Sequence, residues 1–119
     1  MKPINHDEIP QFNCITNNKP KKKAQSVHQL TPYDVDIIAA FGDSLTAAFG
    51  ANAITPIDLF IEYHGVSWSI GGDETVRTVL TLPNVLKEYN GKLTGFSKGI
   101  SPPLIAISDE NLDVAVSGV

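Results

Sequence analysis

The sequence predicts an α/β domain in which two parallel strands and the helices between them are visible. Three observations carry this. Val35-Asp36-Ile37-Ile38-Ala39-Ala40-Phe41 is a short, β-branched and mostly apolar run that ends at the turn cluster Gly42-Asp43-Ser44. Two later segments open with a Thr and an early Pro, a helix-start pattern. Leu112-Asp113-Val114-Ala115-Val116-Ser117 alternates apolar and polar residues, as a strand does. Strand, helices, strand is the order of a layered α/β unit.

The elements follow in order. Residues 1–30 are rich in Asn, Lys, Pro and Gln with no sustained hydrophobic period, and read as a loosely ordered arm. Within it, Gln11 to Ile15 offers apolar side chains to the body, which spans 31–119. The continuous apolar character of 35–41 suits a strand buried on both faces. A short helical stretch is expected from Leu45 to Phe49. Thr55-Pro56-Ile57-Asp58 predicts a helix over 57–63, with Thr55 as cap and Asp58 at the positive end. Gly65, Gly71 and Gly72 mark an irregular loop around Trp68. A second helix is predicted over 82–89, capped by Thr81, with Pro83 in its first turn and Asn90-Gly91 as its stop. Residues 92–110 read as loop. Two strands are fewer than a sheet needs to stand alone, so the expectation is of a piece of a domain.

Composition narrows the function classes. The chain has 119 residues, 42% of them hydrophobic and 18% charged, which excludes a disordered polyelectrolyte. The single cysteine, Cys14, makes no internal disulfide. No run approaches the ~18 apolar residues of a transmembrane helix. The first eight residues have no apolar core of the signal-peptide kind. Net charge is −4, unevenly spread: five Lys against Asp7 and Glu8 leave +3 in residues 1–30, and the remainder carries −7. An acidic body argues against a nucleic-acid partner, since phosphate backbones are held by clustered Lys and Arg. Lys19-Pro20-Lys21-Lys22-Lys23 reads as a solvated linker, with a localisation signal or polyanion patch as the alternative.

The chemistry lies at Gly42-Asp43-Ser44-Leu45. Active sites of open α/β sheets lie just beyond the carboxyl ends of strands. A serine there presents its hydroxyl at the sheet rim, and the following turn aims backbone N–H groups at developing negative charge. Gly42 lets a substrate approach the backbone. For these residues alone, a helix cap is the competing reading.

The longer segment Phe41-Gly42-Asp43-Ser44-Leu45-Thr46-Ala47 resembles the first block of the GDSL, or SGNH, hydrolases. Val27 to Pro32, Gly65 to Asp73, Thr81 to Leu86 and Leu93 to Ser97 resemble the animal phospholipase B branch of that family, the run Trp68-Ser69-Ile70-Gly71-Gly72-Asp73 most specifically. The resemblance covers about Phe12 to the last residue. It implies a partial SGNH fold, a flavodoxin-like three-layer α/β domain. It implies Ser44 as nucleophile, with its own N–H and that of Gly118 as oxyanion donors. It further implies hydrolysis of phospholipid or lysophospholipid acyl esters through an acyl-enzyme, with a membrane surface as substrate source, no metal and no organic cofactor. Members of this branch are extracellular or anchored at the cell surface.

Asp43, Trp68, Gly71 and Gly72 are candidates for lining the substrate pocket. Trp68 as core and the glycines as turn formers stand beside that reading. The family's Gly-x-Asn-Asp and Asp-x-x-His blocks, which carry a third oxyanion donor, the orienting Asp and the base, do not occur in these 119 residues. Asp109 has no His three residues on, and His6, His28 and His64 lie upstream in other contexts, as surface or packing histidines. The alternative function is therefore a catalytically incompetent chain, a truncated form or pseudoenzyme. Asp73-Glu74 lacks metal-ligand spacing and reads as a capping pair.

Overall fold

The most regular element is α1, Leu82–Tyr89, and the reason is local. Thr81 sits in extended conformation before it and accepts from the Asn84 N–H at 3.2 Å. Pro83 occupies the first turn, where its missing N–H costs nothing. At the other end the Asn90 N–H closes onto the Leu86 carbonyl, and Asn90 turns extended. In the computed structural model, which describes residues 12–102 and 112–115, the other helical pieces are single 3₁₀ turns: Val27–Gln29, Pro32–Asp34, Asp58–Phe60 and His64–Val66.

Strand pairing among the described residues takes the form of isolated bridges. Ile37 pairs with Thr94, Ala40 with Asp113 and Gly71 with Ser97, all parallel; Glu62 pairs antiparallel with both Phe49 and Ser101. The groups of residues two apart in an extended chain point to the same side. Asp36 O, Ile38 N and Ala40 N and O all make these bonds, so Thr94 and the 112–114 segment lie end to end along one edge of 36–40. The Leu112 N–H continues that line to the Gly95 carbonyl.

Several expected elements take another form. The run 35–41 is not buried on both faces: Ile37 is 63% and Phe41 88% exposed. Among the described residues no backbone hydrogen bond reaches its other edge, that of Ile37, Ala39 and Phe41. The helix expected over 57–63 shrinks to Asp58–Phe60. Asp58 accepts from the Thr55 and Ile54 N–H groups, but the turn's cap position is Ile57 rather than the expected Thr55, with no side-chain cap bond. The chain then turns extended at Ile61, because its carbonyl takes the Gly50 N–H and Glu62 exchanges two bonds with Ser101. Pairing at a β-branched residue wins over helix propagation. The stretch 45–49 is a turn, ended by Ala48 in the left-handed region at φ 55°.

The core gathers where the 65–73 loop, the start of α1 and residues 93–101 meet: Ile70, Leu93, Ser97 and Pro83 are buried there. One face of α1 saturates three successive carbonyls of the loop. Thr81 Oγ1 donates to Gly71 O at 2.6 Å, Lys87 Nζ to Gly72 O at 2.8 Å and Asn84 Nδ2 to Asp73 O at 2.8 Å. The arm also touches the body. Phe12 stacks edge-on against Tyr89 at 6.2 Å, as the apolar character of 11–15 suggests, and Tyr33 does the same at 5.3 Å.

Candidate functional site

Ser44 lies in the turn that follows the extended 36–40 segment. Asp43 folds this turn locally: its Oδ1 accepts from the Leu45 N–H at 3.0 Å, and its carbonyl from the Ala47 N–H at 3.0 Å. The Ser44 carbonyl accepts from Phe49 N–H at 2.9 Å. Gly42 is required by crowding, since a Cβ there would overlap the Thr46 side chain. Ser44 is half-buried between exposed Asp43 and exposed Leu45. Among the described residues its hydroxyl has no hydrogen-bond partner. The backbone is thus fixed while the Ser44 hydroxyl stays uncommitted among the described residues.

The loop Gly65 to Asp73 supports this turn from beneath. Buried Ser67 donates to the Thr46 carbonyl at 2.7 Å and lies 3.2 Å from Ser69 Oγ. Gly71 is buried where a Cβ would lie 2.5 Å from Gly65 O and Ser67 N, both backbone atoms. Gly72 faces the Phe96 ring as closely. Both glycines therefore let chain segments pack, and Asp73 ties the loop to Gly99 by accepting its N–H. Trp68 is 67% exposed, so it is not core. Gly118 lies outside the described residues, and with it the expected second oxyanion donor.

The structure also assembles a cluster that the sequence reading leaves apart. Buried His64 has Nδ1 3.0 Å from Asp113 Oδ2, and Nε2 3.2 Å from Glu62 Oε2 and 3.1 Å from Ser101 Oγ. All four side chains are at most 6% exposed. Carboxylates on opposite ring nitrogens each receive a donor when the ring carries both protons. The hydrogen-bonded order Ser101, His64, Asp113 has the sequence of groups of a nucleophilic triad, but burial and the competing Glu62 make it a structural ion cluster. Both nitrogens of His64 are committed here, so it is not a base for Ser44. One signal was available: Glu62 and His64 are two apart and share a face once the segment is extended. Ser101 and Asp113 join through long-range pairing with no local signature.

A second feature missed by sequence lies where the arm meets the body. Tyr33 OH accepts from Asn18 N–H, Lys23 Nζ lies 3.2 Å from Asp36 Oδ2, and Asn90 Nδ2 donates to Val35 O and Asp36 Oδ1. The Lys23 and Asn90 donors hold the Asp36 carboxyl below the usual range, and the Thr31 hydroxyl and N–H do the same for Asp34. The Cys14 thiol beside Tyr89 pushes its hydroxyl up. Burial lowers the Lys87 ammonium, with Lys98 adding to the effect.

Comparison with known proteins bears on the Ser44 turn and the loop beneath it. The chain is 49% identical over 105 residues to the membrane-associated phospholipase B1 of Mus musculus, 42% over 104 residues to that of Rattus norvegicus, and 53% over 95 residues to that of Homo sapiens. It is a phospholipase B1-like sequence. The matches cover 83%, 83% and 77% of this chain. The chain spans only 7%, 7% and 6% of those phospholipase B1 proteins. No family model and no solved structure matches it. The name of phospholipase B1 speaks of a membrane; among the described residues here, no helix is long and apolar enough to cross one.

Proposed function

We propose that these residues contribute the nucleophile-bearing part of a phospholipase B-like serine ester hydrolase, built on an SGNH-type three-layer α/β domain. Its substrates are the acyl esters of phospholipids or lysophospholipids, drawn from a membrane surface. The single observation that carries this is the Ser44 turn, with its uncommitted hydroxyl, in a chain 42–53% identical to phospholipase B1.

In this reading Ser44 Oγ attacks the ester carbonyl carbon and its proton passes to a base. The tetrahedral oxyanion is stabilised by backbone N–H groups, those of Ser44 and Gly118 in the SGNH pattern. Collapse expels the alcohol and leaves an acyl-Ser44, which water hydrolyses. The base and its orienting carboxylate belong to the Asp-x-x-His block, which these 119 residues do not contain. A hydroxyl without its base loses several orders of magnitude in rate, so these residues alone hydrolyse esters at most feebly.

The test is fatty-acid release from lysophosphatidylcholine by the protein expressed from its full gene. Ser44→Ala is expected to lower the rate by about 10⁴-fold or more. An unchanged rate rejects the assignment.

A further inference from the structure

A cleft of about 430 Å³ lies between the arm and the body, with Lys19, Lys22, Lys23, Lys92, Tyr33 and Tyr89 in its lining. We propose that it is a binding site for a phosphate-bearing anion of small size, a phosphate monoester or the phosphate of a lipid headgroup.

The argument begins with charge. Two acids, Asp34 and Asp36, share the lining, and their oxygens already accept hydrogen bonds from the chain itself. Asp36 accepts from Lys23 and Asn90, and Asp34 from Thr31 and the Ala24 N–H. Of the four ammonium groups only Lys23 is paired. Among the described residues Lys19, Lys22 and Lys92 have no ion-pair partner. Four Lys against two Asp leave a net charge of +2 on one concavity of a protein whose residues beyond 30 carry −7. Self-repulsion of that set is relieved by a dianion.

Geometry adds to charge. Lys19 and Lys22 come from the arm and Lys92 from the turn after α1, so the cations reach the cleft from separate parts of the chain. The two parts are fastened by Tyr33, which bonds both Asn18 and Ile15, and by its edge-on contact with Tyr89. Lysine is a common phosphate ligand, acting as a point charge without the fork geometry of Arg. The volume falls within the ~300–1,000 Å³ of small-ligand sites, too little for a nucleic-acid helix. The site is separate from Ser44, and its failure would leave the hydrolase reading untouched.

The test is a titration of the full chain, followed by the amide and side-chain NMR signals of the lysines. Sodium phosphate and glycerol 3-phosphate form one arm. Vesicles of phosphatidylcholine with and without phosphatidic acid form the other. Saturable shifts at Lys19, Lys22 and Lys92 are expected. The double variant Lys19→Gln/Lys92→Gln should weaken binding about tenfold or more, the scale of losing a charge-assisted hydrogen bond. Lys21→Gln is the control, since it belongs to the same lysine run but not to the lining, and should leave affinity within about twofold. Saturation by the soluble esters alone identifies a free phosphate ester as ligand. Saturation only with phosphatidic acid identifies a lipid headgroup. Unsaturable shifts, equal shifts with chloride, or equal losses from Lys21→Gln and the double variant would overturn the site. Thermal melts of each variant, matched to the parent, show that the fold is intact.

Discussion

Ser67 and Thr46 are joined by a 2.7 Å hydrogen bond from a buried hydroxyl to a backbone carbonyl, and this bond couples the Trp-Ser-Ile-Gly-Gly-Asp loop to the turn that carries Ser44. It makes the two sequence blocks one mechanical unit. Ser67→Ala leaves the Thr46 carbonyl unpaired and should cost about 1–3 kcal/mol in denaturant unfolding. It should also slow reaction of Ser44 with a fluorophosphonate without touching that residue. A variant that unfolds at the parent's midpoint and reacts at the parent's rate would refute the coupling.

Gly71 is replaceable only at high cost. A Cβ there meets backbone atoms of Gly65 and Ser67 at 2.5 Å, and backbone does not swing away as a side chain does. Gly71→Ala should destabilise by about 3 kcal/mol or more. Gly91, where a Cβ meets nothing within 4 Å, provides the comparison. Gly91→Ala should stay within about 0.5 kcal/mol of the parent. Chemical denaturation of both variants checks the contrast.

His64 bridges two buried carboxylates, Glu62 and Asp113, one at each ring nitrogen. His64→Ala leaves both without their ring partner in a site that water does not reach. The expected loss is about 3–5 kcal/mol, read as a large drop in the urea midpoint. Replacing all three by well-packed apolar residues should recover much of it, and a triple variant no better than His64→Ala would count against the ionic account.

Acid should loosen the arm first. Asp34 and Asp36 have folded-state pKa values lowered, by Thr31 and by Lys23 with Asn90 respectively. A lowered carboxyl pKa means that the unfolded form binds more protons on acidification. The stabilisation is therefore complete above the ordinary carboxyl value of about 4, and fades as pH falls through the lower folded-state values. The Tyr33 and Tyr89 ring signals in NMR should shift toward free-tyrosine positions in that range, before the α1 amides lose protection from exchange. Simultaneous loss of both would contradict an arm held by these two acids.

Thr81 caps α1 and also donates to Gly71 O. Thr81→Ala removes both bonds and should cost about 1–2 kcal/mol. Thr81→Ser keeps both and should recover most of that stability in the same melt.

How far the sequence was readable follows the range of the interactions. For α1 the cap, the early Pro and the stop signal all lie within ten residues, and the helix has the expected bounds. Phe12 reaching the body was legible from its apolar neighbours. The segment 57–63 departs from the expected helix because Gly50 and the distant Ser101 pair with Ile61 and Glu62. The same holds for the His64 cluster, in which His64 and Asp113 are 49 residues apart. The Ser44 turn was legible as a motif, whereas its support by Ser67 required the fold. The lysine run reads as linker because like charges beside a Pro repel; the cleft forms where Tyr33 and Tyr89 bring the arm onto α1.

The central claim is that the Ser44 hydroxyl is the reacting group. Peptide mapping by mass spectrometry after fluorophosphonate treatment of the protein expressed from its full gene tests it most directly. The account predicts one dominant phosphonyl adduct, on the peptide holding Ser44, that vanishes in Ser44→Ala. An adduct centred on Ser67, Ser69 or Ser101, or labelling undiminished by Ser44→Ala, would contradict it.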